Sequence, residues 1–122
     1  MTSQRSVAVV TGASRGAGRG IARALGAAGW RVYLTGRTVE PKDAAAVTDA
    51  GGDGIAIRVD HADDASVAAL FEQVDAADGR LDLLVNNAAT ISDELTGTAP
   101  FWEKPPALSD VLDVGLRSAY VA

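Results

Sequence analysis

The sequence has no cysteine and only one histidine, His61. The first absence excludes a disulfide framework and thiolate redox or metal chemistry, and it fits a reducing cytoplasm. The second leaves His61 without another imidazole, a cysteine cluster or a carboxylate pair at ligand spacing, so no metal site is expected. Acidic residues outnumber basic ones, 16 to 11, for a net charge of −5. That balance argues against a general nucleic-acid binder. Long apolar runs are missing too. MTSQRSVAVVTG is too short in apolar residues for a signal peptide, and no stretch is long enough to span a bilayer. The expectation is a soluble, cytoplasmic protein with neither nucleic acid nor membrane as partner.

What is present is a regular alternation. The chain has 122 residues and is 48% hydrophobic, enough for one domain with a buried core. Ser6 to Thr11 reads as a buried strand, followed by a glycine-rich loop. From Gly16 to about Ala28 the pattern is helical, with Ile21, Ala24, Leu25 and Ala28 on one face and Gly29 as a stop. RVYLT (31–35) is a second strand, and Glu40 to Ala50 a second helix with Pro41 in its tolerant first turn. Ile55 to Val59 reads as a third strand. Asp63 or Asp64 then caps a helix reaching about Asp78, with Val67, Leu70, Phe71 and Val74 as its apolar stripe. LDLLV (81–85) is a fourth strand. Strands and helices alternating at this spacing predict right-handed crossovers and a parallel sheet covered on both faces. The fold class is therefore α/β, a Rossmann-like doubly wound sheet of about four strands in the order 3-2-1-4. Residues 88–108 carry Gly97, Pro100, Pro105 and Pro106 and read as a long loop, a common place for function. A last helical pattern starts at Ser109, a possible N-cap, with Leu108, Val111, Leu112 and Ala119 at helical spacing. Trp30 and Trp102 read as packing residues, and Trp102 could also line a substrate pocket.

The loop TGASRGAGRG (11–20) holds four glycines and two arginines. A triphosphate loop needs four residues between its glycines and then a lysine; only three separate Gly12 from Gly16, and no lysine follows. The G-x-G-x-x-G pattern would need a glycine where Ile21 stands. What fits is T-G-x-x-x-G-x-G at Thr11, Gly12, Gly16 and Gly18, between a strand and a helix. Such glycines let the backbone approach a pyrophosphate, and the helix behind offers free N–H groups and the positive end of its dipole. A glycine-rich turn without a ligand is the alternative.

VVTGASRGAGRGIA (9–22) resembles the cofactor loop of the short-chain dehydrogenase/reductase superfamily. LVNNAA (84–89) resembles its N-N-A-G signature, and Val59-Asp60 its adenine-binding aspartate after the third strand. FWEKPPALSDVLDVGLRSAY (101–120) is similar to one branch of that superfamily with an F-W-E-x-P…N-V-G-L-R-x-x-Y run. The resemblance implies a nicotinamide dinucleotide held by Thr11, Gly12, Ser14, Arg15, Gly16, Ala17 and Gly18, with Arg37, Asp60, Asn86 and Ala88. Asn86 would contact the ribose and tie neighbouring strands, while Ala89 replaces the usual glycine. The second strand ends in LTGRT, so Gly36 stands where an NAD-selecting acid would be and Arg37 follows. A guanidinium can grip a 2′-phosphate that a carboxylate would repel, and Arg15 can close on it from the loop. NADP is thus expected over NAD. Solvated surface arginines are the alternative for Arg15 and Arg37, as a turn or helix cap is for Asp60 and a plain Asn-Asn turn for Asn86 and Asn87.

The family's chemistry uses a serine and a Y-x-x-x-K pair. Neither Tyr33, followed by Arg37 and read as pointing at the adenosine end, nor Tyr120 supplies that pattern, so no catalytic residue is assigned. Gly115 also stands where the superfamily usually has a relay asparagine, a departure its similar branch shares. The apolar tail at Ala122 carries no stop signal. The expectation is the N-terminal, dinucleotide-binding part (1–122) of a Rossmann domain, catalytically incomplete, with roughly 130 residues still to come. A small carbonyl or alcohol substrate is expected only of a full-length protein. The unpaired fourth strand and exposed last helix predict self-association. The alternatives are a non-catalytic dinucleotide-binding module and an inactive truncated product.

Overall fold

Val7–Thr11, Arg31–Gly36, Asp53–Arg58 and Leu83–Val85 form strands β1 to β4 of the computed structural model, which describes residues 4–122. All pairings are parallel, in the order β3-β2-β1-β4, with Val9 opposite Tyr33 on one side and Leu84 on the other. β1 is buried at every position because helices cover both faces of the sheet. On one face Val7, Val9 and Tyr33 pack with Val67, Leu70 and Val74 of α3 (Asp64–Asp78). On the other, Val10, Val32 and Leu34 pack with Ala22 of α1 (Gly16–Ala27) and Val47 of α2 (Pro41–Asp49).

The ends of these helices follow their sequences. Glu40 and Asp43 form a reciprocal capping box on α2, and the Asp63 carboxylate accepts from the Ala65 amide to cap α3. Gly29, at φ +88°, turns the chain out of α1 as expected. The buried face of α1 differs from the expected one. Ile21 is 36% exposed, and Ala24 and Ala28 are exposed as well; Gly18, Ala22 and Gly26 are buried, with Leu25 half-buried. Small residues make that seam because α1 lies so close to α2 that a Cβ on Gly26 would stand 2.7 Å from the Val47 carbonyl oxygen. Close backbone approach, rather than side-chain size, decides which face turns inward.

The last segment also departs from a continuous helix. Ser109 closes a 3₁₀ turn (Pro106–Ser109) and caps nothing; the helical path then breaks at Val114 and at Gly115, whose φ is +153°. The break frees the Val114 carbonyl, which accepts from the Thr90 amide at 2.8 Å, while the Gly115 amide donates to Ser118 Oγ at 3.0 Å. Only Ser118–Val121 (α4) continues as α-helix. Arg117 holds this segment to α3 through two 2.6 Å bonds to the Asp64 carboxylate. The loop from residue 88 is organised by 3₁₀ turns at Asp93–Leu95 and Phe101–Glu103. The Lys104 ammonium donates to the carbonyls of Leu95 (2.7 Å) and Gly97 (3.1 Å), closing the loop on itself.

Candidate functional site

At the carboxyl ends of β1 and β2 the chain opens into a cleft of about 360 Å³. In an open parallel sheet ligands bind outside this edge, where the strand order reverses between β1 and its two neighbours. The glycine loop forms one wall. Its Ala13 amide donates to the Thr35 carbonyl at 3.0 Å, pinning the loop to β2. Gly12 sits at φ +63°, and a Cβ there would meet the Ala88 Cα at 2.9 Å. Gly18 is buried beneath it, within reach of the Gly12 carbonyl.

The start of α1 is unlike those of α2 and α3. Its N-cap is Arg15, which makes no side-chain capping bond, and its first turn has no acidic residue. The first amide with a partner one turn back is that of Arg19, so the N–H groups of Gly16, Ala17 and Gly18 have none within the helix. Where the other two helices place carboxylates, this one presents N–H groups beside an exposed guanidinium. Arg15 and Arg37 line the same cleft, and neither meets a carboxylate at ion-pair distance among the described residues. An acidic protein thus keeps two uncompensated arginines at one opening, a field suited to an anion.

Gly12, Ser14, Arg15, Gly16, Arg37, Asp60 and Ala88 all line the cleft. Ser14 Oγ lies 3.2 Å from Thr38 Oγ1, joining the glycine loop to the β2–α2 turn. Asp60 accepts from the Ala62 amide through Oδ1 at 3.0 Å, so it shapes its own turn while its other oxygen is left open. Thr11 does not face the cleft. It is 2% exposed, and its hydroxyl donates to the Val85 carbonyl while accepting from the amides of Asn87 and Ala88, both at 2.9 Å. Its part is to hold the chain after β4 against β1.

The tying of neighbouring segments expected of Asn86 falls to Asn87. Asn86 is exposed and its amide reaches the Ala119 carbonyl at 3.4 Å. Asn87 lines the cleft, and its side-chain amide donates to the Gly12 carbonyl at 2.9 Å, tying β4 to the glycine loop. The reason is strand alternation continued past β4: Leu84 packs on the α3 side and Val85 on the α1 side, so residue 87 falls on the face of the glycine loop. His61 and Thr38 also line the cleft without having been expected there. A lone histidine after a strand carries no distinguishing sequence signal.

Tyr33 points away from the cleft, not toward it. Its hydroxyl donates to Asp78, which also accepts from Arg31, at the amino-terminal edge of the sheet. Burial, then the Asp78 carboxylate, pushes Tyr33 up to about 12, the wrong direction for a proton donor near neutrality. Tyr120 is 92% exposed. Trp102 packs only edge-on against Phe101 and lies outside the cleft, so it neither fills a core nor lines this site. Among the described residues there is no group of three or more histidines, cysteines or carboxylates able to hold a metal, and no helix long and apolar enough to cross a membrane.

The family model for short chain dehydrogenases matches residues 6–121. Mouse dehydrogenase/reductase SDR family member 1 is 45% identical over 121 residues, covering 94% of this chain and 39% of that one. A metagenomic short-chain oxidoreductase solved in complex with NADP superposes with a TM-score of 0.83 at 40% identity, over 95% of this chain and 52% of the other. The 3-oxoacyl-[acyl-carrier protein] reductase of Brucella melitensis, solved in complex with NAD, gives a TM-score of 0.86 at 34% identity, over 98% and 47%. The chain thus spans about half the length of these proteins or less.

Proposed function

The chain belongs to the short chain dehydrogenase family, and on that premise we propose that it forms the NADP(H)-binding part of an oxidoreductase acting on a carbonyl or alcohol. The observation that carries this reading is the uncapped N-terminus of α1, opening into a cleft that Arg15 and Arg37 both line. The residues present fit a dinucleotide. The free amides of Gly16, Ala17 and Gly18 suit its pyrophosphate. Arg37 and Arg15 suit a 2′-phosphate, and the open Asp60 oxygen suits the adenine amino group. Bound there, the nicotinamide would supply or accept the hydride. The residues of this chain bind and orient; Asn87 and Thr11 keep the loop and the β4 end at fixed spacing. No Y-x-x-x-K stands in these 122 residues, so the proton-transfer step falls to residues outside them. A cytoplasmic setting accompanies this reading.

A non-catalytic dinucleotide-binding module is the second reading, favoured by that missing pair. Fluorescence titration tests what the two readings share: saturable NADPH binding without turnover of carbonyl substrates supports both and no binding refutes both, whereas hydride transfer by this chain rejects catalytic incompleteness. Arg37→Ala is expected to weaken NADPH binding about 10- to 100-fold, the worth of a charge-assisted phosphate contact, and NADH binding by less than about threefold. Equal losses for both cofactors would remove Arg37 from the 2′-phosphate.

Self-association is also part of the proposal. β4 has a neighbour on one side only, and Phe101, Trp102, Leu116 and Tyr120 are 82%, 74%, 68% and 92% exposed. Such apolar surface and an open strand edge favour pairing between chains. Light scattering should report masses above the 12.5 kDa monomer that rise with concentration; a concentration-independent monomer would refute it.

A further inference from the structure

Charge is divided between the helices. α1 carries Arg19 and Arg23 and no acidic residue, whereas α3 carries Asp64, Glu72, Asp75 and Asp78 and no basic one. Arg19 and Arg23 stand one turn apart on the exposed side of α1, and neither meets a carboxylate at ion-pair distance among the described residues. The helix gains nothing from them, because like charges one turn apart repel and Arg19 lies near the positive end of the dipole. Beside them Gly16, Gly20, Ala24 and Ala27 are exposed, so this side of α1 is an arginine pair on a surface of small residues. α3 presents the complement. Arg117 takes Asp64 and Arg31 takes Asp78, while Glu72 and Asp75 are exposed and have no basic partner among the described residues. Ala65, Ala68, Ala69 and Ala76 are exposed around them.

The two helices cover opposite faces of the sheet, so these charges cannot meet within one chain. They can meet between chains. We propose that the arginine side of α1 docks on the acidic side of α3 in a second copy of this chain, with Arg19 and Arg23 paired to Glu72 and Asp75. Charge complementarity names the occupant. Two free guanidiniums one turn apart face two free carboxylates three residues apart, and the small residues around both pairs let the helices approach closely. The contact is heterologous. Each added copy still offers a free α1 at one end and a free α3 at the other, so assembly runs head to tail instead of closing as a pair. It is separate from the association through β4 and the apolar surface of Phe101, Trp102, Leu116 and Tyr120. It also differs in kind, because salt screens exposed ion pairs and does not weaken apolar contacts.

The test is light scattering of the 122-residue chain at about 0.01 M and about 1 M sodium chloride, a range over which the screening length falls from about 30 Å to about 3 Å. The association constant of the wild type should fall about tenfold, the worth of two exposed ion pairs. Arg19→Glu with Arg23→Glu, and separately Glu72→Lys with Asp75→Lys, should each associate at low salt no better than the wild type does at high salt. A glutamate near the start of α1 and a lysine near the end of α3 both suit the helix dipole, so neither variant should melt below the wild type. Mixed one to one, the two variants should regain the salt-sensitive assembly, because the first keeps an acidic α3 and the second a basic α1. Wild-type association equal at both salt concentrations would overturn this contact and leave that through β4 standing; a monomer at low salt would overturn both. A variant that assembles alone like the wild type, or a mixture that fails to assemble, would also overturn it. Polyglutamate that then bound the wild type and not the arginine variant would give this side of α1 to an acidic partner of another kind.

Discussion

Thr11→Val is expected to destabilise the protein by about 2–4 kcal/mol and to remove most of its NADPH binding. The substitution preserves shape and deletes one oxygen. That oxygen accepts from the Asn87 and Ala88 amides, both at 2.9 Å, and donates to the Val85 carbonyl. A buried amide stripped of its acceptor costs about 1–3 kcal/mol, and here two lose theirs in part-buried positions where water can recover some of the loss. The effect on binding follows from the same bonds. Asn87 and Ala88 line the cleft, and Asn87 also holds the Gly12 carbonyl, so their release loosens both walls together. Thr11→Ser keeps the hydroxyl and loses a methyl, which should cost about 1 kcal/mol and leave NADPH binding near wild type. Urea denaturation and cofactor titration of the two variants provide the check. A valine variant within about 0.5 kcal/mol of wild type would mean that Thr11 is ordinary core.

The parallel order of the sheet could be expected from the sequence because periodicity and punctuation agreed. Short β-branched runs alternate with helical patterns, and Gly29, Pro41 and Asp63 mark turns and caps where the structure has them. That the glycine loop and Arg37 meet at one cleft was legible for the same reason: glycines at fixed spacing between a strand and a helix, and an arginine at the end of the next strand, leave a mark in the sequence. The errors share a different cause. Which face of α1 turns inward depends on how near α2 comes, and Gly26 against Val47 is a distance between segments, invisible to a hydrophobic pattern that ranks Ile21 above glycine. The break at Val114 and Gly115 comes with a bond from the Thr90 amide to the Val114 carbonyl, 24 residues away, which no local pattern announces. Asn86 and Asn87 were separable in principle, since alternation carried past Val85 puts only the second on the glycine-loop side. The burial of His61 left no trace, because its hydrogen-bond partner, the Thr35 hydroxyl, stands 26 residues earlier.

Gly18→Ala tests the cradle from its other side and carries the largest expected loss. A Cβ at this position would lie 2.3 Å from the Gly12 carbonyl oxygen and 2.4 Å from Asn87 Nδ2. Those two atoms are bonded to each other at 2.9 Å, so the methyl would press into a hydrogen bond and both partners would have to move. The asparagine can swing away, at the expense of that bond. The carbonyl belongs to Gly12, whose φ of +63° and place beside Ala88, where even a Cβ would lie 2.9 Å from the Ala88 Cα, leave it little room. Overpacking of this kind costs about 1–3 kcal/mol, and the broken bond adds about 1 kcal/mol more. Binding should suffer more than stability, because the displaced loop carries the free amides of α1 away from the ligand. A loss of about 100-fold or greater in NADPH affinity is expected. Gly20→Ala supplies the contrast two residues on. Nothing lies within 4 Å of a Cβ there, and the position is exposed on α1. Alanine should leave NADPH binding unchanged and raise stability by up to about 1 kcal/mol, the helix preference for alanine over glycine. If Gly18→Ala melts and binds like Gly20→Ala, the close approach of loop and helix is not what shapes the site.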